Sequence, residues 1–203
     1  MKESSHYSKQ PVTGIILAGG KNIRMGKNKA FLKIDGQRII DRTVELLKGI
    51  FSQVILVTNT PLEYSYLDIE IVIDIVPKRG ALIGIYTGLF YSSHPHCFVT
   101  ACDMPFLNKN VIEHMITISK NYDVVIPCLD DGYHSLHAIY SKKCMKSIEN
   151  LIHEDNLKII NFLDTVKVKE VTSDDITPLD PTLNSFLNIN TPEDLARIKR
   201  IAF

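Results

Sequence analysis

The chain has 203 residues, of which 45% are hydrophobic and 23% charged, and 23 basic side chains against 23 acidic ones give a formal net charge of +0. That balance is ordinary for a globular domain and excludes a protein that coats nucleic acid with massed Lys and Arg, while leaving room for a local basic pocket that takes one triphosphate. No apolar run approaches the ~20 residues that span a bilayer, and the polar stretch Met1–Gln10 lacks the apolar segment of a secretory signal, so a cytoplasmic protein with no membrane partner is expected.

The length suits one domain: residues 1–12 read as a flexible N-terminal arm and 13–203 as a single unit. The first element is the apolar run Ile15-Ile16-Leu17, which ends in the small residues Ala18, Gly19 and Gly20. Without Cβ atoms at Gly19 and Gly20, backbone amides can approach an anion closely, and a row of them makes an anion-binding concavity. Gly26 permits a second bend, and Arg24 and Lys29 add positive charge for a triphosphate, Arg as a planar fork and Lys as a point charge. The spacing is neither the phosphate loop that ends in Gly-Lys-Ser/Thr nor the dinucleotide fingerprint.

Ile40, Val44 and Leu47 then share a helical face. The run Val54-Ile55-Leu56-Val57 is followed by Asn59, and Ile71-Val72-Ile73 by Asp74. Guanine presents an N1–H and an amino group that one carboxylate can accept, which suits Asp74 at a strand end. Pro77-Lys78-Arg79 adds two charges that could close over phosphates. Leu82, Ile85, Tyr86, Leu89 and Phe90 repeat at helical spacing, as do Val111, Ile112, Met115 and Ile116. Between these helices Phe98 and Val99 lead into Thr100-Ala101-Cys102-Asp103, and Pro105 stops the strand. Asp103 is thus a lone carboxylate at a strand end, suited to magnesium, which takes one or two carboxylates plus phosphate oxygens. Asn108 is the better cap for the helix that follows.

Val124-Val125-Ile126 is a further buried run. His134 and His137 lie three apart but no carboxylate or cysteine completes a zinc set, so both read as surface or pocket-lining side chains. Cys97, Cys102, Cys128 and Cys144 form no C-x-x-C pair and read as buried reduced thiols. Val166, Val168 and Val171 suggest an exposed or edge strand, and Ser173–Ser185, polar with two prolines, a surface loop. Asn188 and Asn190, two apart in an extended segment, face the same way. Thr191, Pro192 and Asp194 mark a capped helix start. Unbroken apolar runs alternating with helical segments imply an α/β fold: an open, doubly wound, mostly parallel Rossmann-like sheet with helices on both faces. Ligands of such sheets bind at the carboxyl ends of the strands.

The string L-A-G-G-x-x-x-R-M-G-x-x-K over Leu17–Lys29 resembles the signature of sugar-nucleotide-type pyrophosphorylases, and most closely that of the molybdenum cofactor guanylyltransferases, the MobA family. The likeness runs from Thr13 to about Arg200. It implies a nucleotidyltransferase domain in which Leu17, Ala18, Gly19 and Lys29 hold GTP and Asp103, in a C-D-x-P-like motif, binds Mg2+. Asp74 and Asn59 match nucleotide-contacting residues of the family. Arg79–Gly84 resembles its G-P-L-x-G loop with Ala81 in place of proline, which implies base contacts at Gly80 and Gly84. Asn188-Ile-Asn190 resembles its N-x-N-T-P-E string, towards the pterin acceptor. Related cytidylyltransferases carry Ala at the position of Gly19 and Gln at that of Met104, so both residues lean towards guanine.

The reaction implied is transfer of GMP from GTP to the terminal phosphate of molybdopterin or its molybdenum-loaded form, with Arg24, Lys29 and Asp103 as the catalytic charges. Proteins of cofactor biosynthesis or cofactor acceptance are the expected macromolecular partners. The competing readings are cytidylyl transfer to the same pterin, a sugar-phosphate guanylyl- or uridylyltransferase, and a non-catalytic GTP-binding module.

Overall fold

The computed structural model describes residues 10–19 and 28–201. Its frame is one sheet in the order β10-β7-β9-β6-β1-β4-β5, with β8 paired to β7. The strands are β1 (Gln10–Leu17), β4 (Phe51–Val57), β5 (Glu70–Val72), β6 (His96–Ala101), β7 (Val124–Leu129), β8 (Gly132–Tyr133), β9 (His137–Ser141) and β10 (Val168–Val171). A separate small ribbon pairs β2 (Lys33–Ile34) with β3 (Gln37–Arg38). β1 pairs in parallel with both β4 and β6, β4 with β5, and β7 with β10.

The unbroken apolar runs form strands because both faces of the sheet are covered. Ile15, Ile16, Ile55, Leu56, Phe98 and Val99 have no accessible surface. On one face α1 (Ile39–Ile50) and α3 (Lys109–Ser119) bury Ile40, Val44, Leu47, Val111, Ile112 and Met115 against alternate strand residues. On the other, α2 (Ala81–Tyr91) and α4 (Met145–His153) bury Leu82, Ile85, Leu89, Ile148 and Ile152. The fold is therefore the expected doubly wound α/β sheet. α3 is capped by Asn108, whose side chain accepts from the amides of Asn110 and Val111.

Four local readings need correction. β1 begins at Gln10, so residues 10–12, expected in the N-terminal arm, pair with their neighbours in the sheet. The face of α2 does not include Phe90, which is 55% exposed; the helix instead lies on β1 through Gly84 and Gly88. A Cβ on Gly88 would stand 2.5 Å from Ile15, and one on Gly84 3.0 Å from Leu17. The stretch 173–185 is no plain surface loop. A short helix, α5 (Ser173–Ile176), is held by a Thr172–Asp175 capping box, and Asp180, buried, accepts from the amide of buried Ser185. Finally, β9 lies antiparallel between β6 and β7, which puts His137 wholly inside the core rather than on a surface or pocket wall.

The edge-strand reading of the valines is met by β10, at one end of the sheet. Cys97, Cys102 and Cys144 are buried, Cys128 is half-buried, and no disulfide links them. Burial pushes the Cys97 and Cys144 thiols up to about 12. No helix among the described residues is long and apolar enough to cross a membrane.

Candidate active site

The carboxyl ends of β6, β1, β4 and β5 lie side by side, and the expected site residues fall along this rim. At its centre β1 ends between its neighbours: Ala18 donates its amide to Val57 O (2.9 Å) and Leu17 accepts from the amide of Cys102 (3.1 Å). Leu17 and Ala18 are buried. Gly19 is exposed, and no described atom lies within 4 Å of where its Cβ would be. Gly20, Arg24 and Gly26 lie outside the described residues.

Beside β1, on the β6 side, Lys29 and Asp103 meet. Lys29 sits on a 3-10 turn, residues 29–31, whose N-cap Asn28 accepts from the Ala30 amide. Only 5% of Lys29 is exposed. Its ammonium stands 3.8 Å from Asp103 Oδ2 and donates to Asn190 Oδ1 at 3.1 Å. Asp103 directly follows the end of β6 at Ala101-Cys102, as its position before Pro105 suggests, and its carbonyl accepts from the amide of Ile189. Burial raises the Asp103 carboxyl above its ordinary value, and the charge of Lys29 opposes the rise. A distance of 3.8 Å is too long for a hydrogen bond. The half-buried carboxylate is therefore short of positive charge. One Asp that needs a cation, next to space for phosphates, fits the sparse protein ligation of magnesium. No cluster of three or more His, Cys, Asp or Glu side chains that could hold a metal occurs among the described residues.

Burial alternates along residues 188–190 as expected: Ile189 is buried, while Asn188 and Asn190 are exposed. Asn190 Oδ1 accepts from Lys29, while Asn188 lies two residues earlier on the same exposed side of the segment. α6 (Pro192–Ile201) locks the segment, because Asp194 accepts from the amides of Asn190 and Thr191 and its own amide donates to Thr191 Oγ1.

On the other side of β1 lies a second polar group. The buried Thr58 donates its amide to Val72 O, so the chain leaves β4 and β5 together. This brings Asn59 and Asp74 into contact, Nδ2 to Oδ2 at 2.7 Å. The other oxygen, Asp74 Oδ1, is buried and accepts no hydrogen bond of normal geometry; burial raises this carboxyl as well, and the side chains of Asn59 and Thr87 oppose the rise. The Ile75 amide donates to Thr87 Oγ1, tying the segment to α2. Gly80 is exposed at the N-terminus of α2 and accepts from the amides of Ile83 and Gly84. Gly84 itself is buried in the helix against Leu17. Lys78 does not extend over the rim, because it is bonded to Asp155 (2.8 Å) and the Ile152 carbonyl at the end of α4.

The two groups are one site in outline. From β6 to β5 there are three interstrand steps, roughly 14 Å at the usual strand spacing. One end carries a cation beside a half-buried carboxylate, and the other an amide–carboxylate pair with one oxygen unbonded. An elongated ligand with a polyanionic tail and a donor-rich head suits that layout. Side chains that the sequence does not single out also belong to it: Asn28 bonds to Glu63 (2.8 Å) and Tyr64 (2.9 Å). Only the cap position of Asn28, ahead of a short apolar turn, signals its role locally.

Comparison with known proteins gives the family. Residues 14–166 match the family described as the MobA-like NTP transferase domain. The molybdenum cofactor guanylyltransferase of Desulfosudis oleivorans is 39% identical over 188 residues, covering 92% of this chain and 93% of the relative. A probable molybdenum cofactor guanylyltransferase of Natranaerobius thermophilus is 37% identical, covering 93% and 95%. Among solved structures, molybdopterin-guanine dinucleotide biosynthesis protein A of Archaeoglobus fulgidus superposes with a TM-score of 0.84 at 28% identity, covering 94% of this chain and 98% of that one. The family match over residues 14–166 and the likeness along nearly the whole length have one common source: the chain belongs to the MobA-like NTP transferase family.

Proposed function

We propose that this chain is a magnesium-dependent guanylyltransferase that moves GMP from GTP to the terminal phosphate of molybdopterin, forming the guanine dinucleotide cofactor and releasing pyrophosphate. The observation that carries the reading is the pairing of two distinct ends on one rim. Lys29 and Asp103 stand at β1 and β6, and the unbonded oxygen of Asp74 stands at β5. Relatives named for this reaction, alike over nine-tenths of their length, support it.

An oxygen of the pterin phosphate attacks the α-phosphorus of GTP; the new P–O bond forms as the bond from the α-phosphorus to the bridging oxygen breaks, and pyrophosphate leaves with that electron pair. A phosphate monoester has a second pKa of about 6, so the nucleophile is already ionised at neutral pH and no general base is required. The barrier is electrostatic, and positioning with charge stabilisation lowers it. In this reading the amides after Leu17 cradle the phosphates, Lys29 and Arg24 hold their charge, and Asp103 holds the metal. Magnesium bound there would neutralise phosphate charge and polarise the reacting phosphoryl group. Asp74 accepts from the guanine N1–H and amino group, with Asn59 fixing its orientation, while the exposed Gly80 approaches the base through its backbone and Gly84, expected to do so too, is instead buried against Leu17. Asn188 and Asn190 face the acceptor. The enzyme works in the cytoplasm on GTP and a pterin that carries or lacks molybdenum, and hands its product to proteins that use the cofactor.

The test is transfer of labelled nucleotide to molybdopterin with Mg2+, comparing GTP with CTP. Preferential formation of the guanine product is expected. Equal or better use of CTP would move the chain to the cytidylyl reaction, and failure to transfer either nucleotide would leave only a binding module.

A further inference from the structure

We infer that Asn28 and Tyr64 are positioning residues for the transfer: together they form a clamp that sets where the Lys29 ammonium stands. The inference rests on the proposed reaction, in which Lys29 meets the polyphosphate. Lys29 has little backbone of its own to hold it, since its turn covers only three residues, 29–31. What fixes that turn is the residue before it. Asn28 Oδ1 accepts from the Ala30 amide (3.1 Å) and the Asn28 carbonyl from the Phe31 amide (3.1 Å). Its side-chain nitrogen spends both hydrogens on the turn at 61–64, one on Glu63 Oε2 (2.8 Å) and one on Tyr64 Oη (2.9 Å).

The rings add to the grip. Tyr64 stacks on Phe31 with centroids 5.1 Å apart, and the Arg38 guanidinium lies 5.3 Å from the far partner, Phe31. Tyr64 is 1% exposed, and burial pushes its hydroxyl well above the ordinary value, so it stays a neutral phenol at working pH. The turn that bears Glu63 and Tyr64 leaves β4 immediately after Thr58 and Asn59. One short segment thus touches the base end of the site through Asn59 and the phosphate end through Asn28. The residue type is informative too. Capping alone would be served equally by Asp. Asp, however, would set a carboxylate against Glu63 and offer Tyr64 no donor, whereas the amide supplies the acceptor and both donors at once.

The test uses the full chain with three variants: Asn28→Asp, Tyr64→Phe and the double variant Asn28→Asp/Glu63→Gln. In the double variant the new amide at position 63 can donate to the new carboxylate at position 28, and the Tyr64 hydroxyl can do the same. Three quantities are read: steady-state GMP transfer, the thermal midpoint, and amide hydrogen exchange of the peptide spanning residues 28–34. Asn28→Asp is expected to lower kcat at least ~10-fold, since small misplacements of a charged group cost that much or more. The KM for GTP should change less, the midpoint should move by under about 4 °C, and exchange at Ala30 should speed up. Tyr64→Phe should lower kcat in the same direction with its ring packing intact. The double variant should recover both kcat and protection. Unchanged kcat in Asn28→Asp and Tyr64→Phe would overturn the clamp while leaving the proposed reaction standing, as would a loss that the double variant does not recover. If the unaltered chain transfers no GMP, it is the reaction that fails. The exchange data then still decide the clamp: protection lost in Asn28→Asp and regained in the double variant keeps it, and equal exchange in all chains removes it.

Discussion

At the amino ends of β1, β4 and β6 the polar side chains satisfy one another. Ser92 Oγ donates to Thr13 Oγ1 (2.6 Å) and accepts from the His94 amide (3.0 Å). Thr13 Oγ1 donates to Gln53 Oε1 (2.8 Å), whose nitrogen reaches Glu70 (3.0 Å). At the carboxyl ends of the same strands the accounts are left open. Asp74 Oδ1 is buried and accepts no hydrogen bond of normal geometry, and Lys29 and Asp103 stand near one another at 3.8 Å without a hydrogen bond. An unmet buried polar group costs stability that a bound ligand can restore. The two rims thus separate what holds the fold from what awaits a ligand.

That contrast is broken most severely at Asp103, the carboxylate proposed to hold the metal. Asp103→Ala should lower GMP transfer by roughly 10³-fold, the scale of losing a preorganised charge in a shielded site, while circular dichroism and the thermal midpoint stay near those of the unaltered chain. Transfer at the original rate would remove Asp103 from the reaction and erase the distinction between the rims. Asp74→Asn, the next largest, should cost about 2 kcal/mol of preference for GTP over other nucleotides, roughly thirtyfold, read as the ratio of kcat/KM values. A proportionate fall for every nucleotide would mean that Asp74 shapes the pocket without choosing the base.

The carboxyl rim was also the more legible of the two in sequence, for a physical reason. Strands buried on both faces must be unbroken apolar runs, and the residue after each run is therefore visible. Asp103, Asn59 and Asp74 stand out that way, Lys29 stands out as the last cation of the glycine loop, and the caps at Asn108 and Thr191 give local signals. What could not be read is nonlocal. Nothing near Asn28 announces Tyr64, which reaches it only when the 61–64 turn folds back. β9 hid because it is a short antiparallel insertion whose His137 looks polar in sequence but is buried by aromatic neighbours, Phe98 and Phe186. The 173–186 stretch hid for the opposite reason: its polar side chains bind backbone, as Asp175 does at Thr172 and Asp180 at Ser185, so a polar composition conceals a buried path. The α2 face was misjudged because glycines carry no hydrophobic signal, yet Gly84 and Gly88 are where the helix meets β1.

The amino rim should answer to mutation in the reverse sense. Ser92→Ala removes a buried hydroxyl from the Thr13–His94 network and should destabilise the fold by about 2 kcal/mol, a midpoint drop of roughly 4–8 °C for a domain of this size. Its kcat at 25 °C should match that of the unaltered chain. A kcat loss without a change in midpoint would show that the rims are not independent.

The smallest effect concerns pH and lies at the carboxyl side of the core. His137 opens β9 opposite Thr100, has no accessible surface, and neither ring nitrogen has a hydrogen-bond partner. Burial lowers its value from 6.5 to about 3, with the neighbouring His134 adding to the shift and Asp180 opposing it. The folded chain therefore holds this ring neutral while the unfolded chain protonates it near pH 6.5. With the folded value depressed, the stability this group contributes is complete above that pH and declines as pH falls towards 3. The native state binds fewer protons throughout the window. Between pH 7.5 and pH 6 the loss from one such site is about 0.8 kcal/mol, a midpoint change of roughly 2–3 °C. His137→Phe keeps an aromatic ring between Phe98 and Phe186 and removes the titration, so its midpoint should be flatter over that interval by the same amount. Identical slopes for the two proteins would place the acid sensitivity elsewhere, and would mean that this ring finds a proton or a partner in solution that its packing does not suggest.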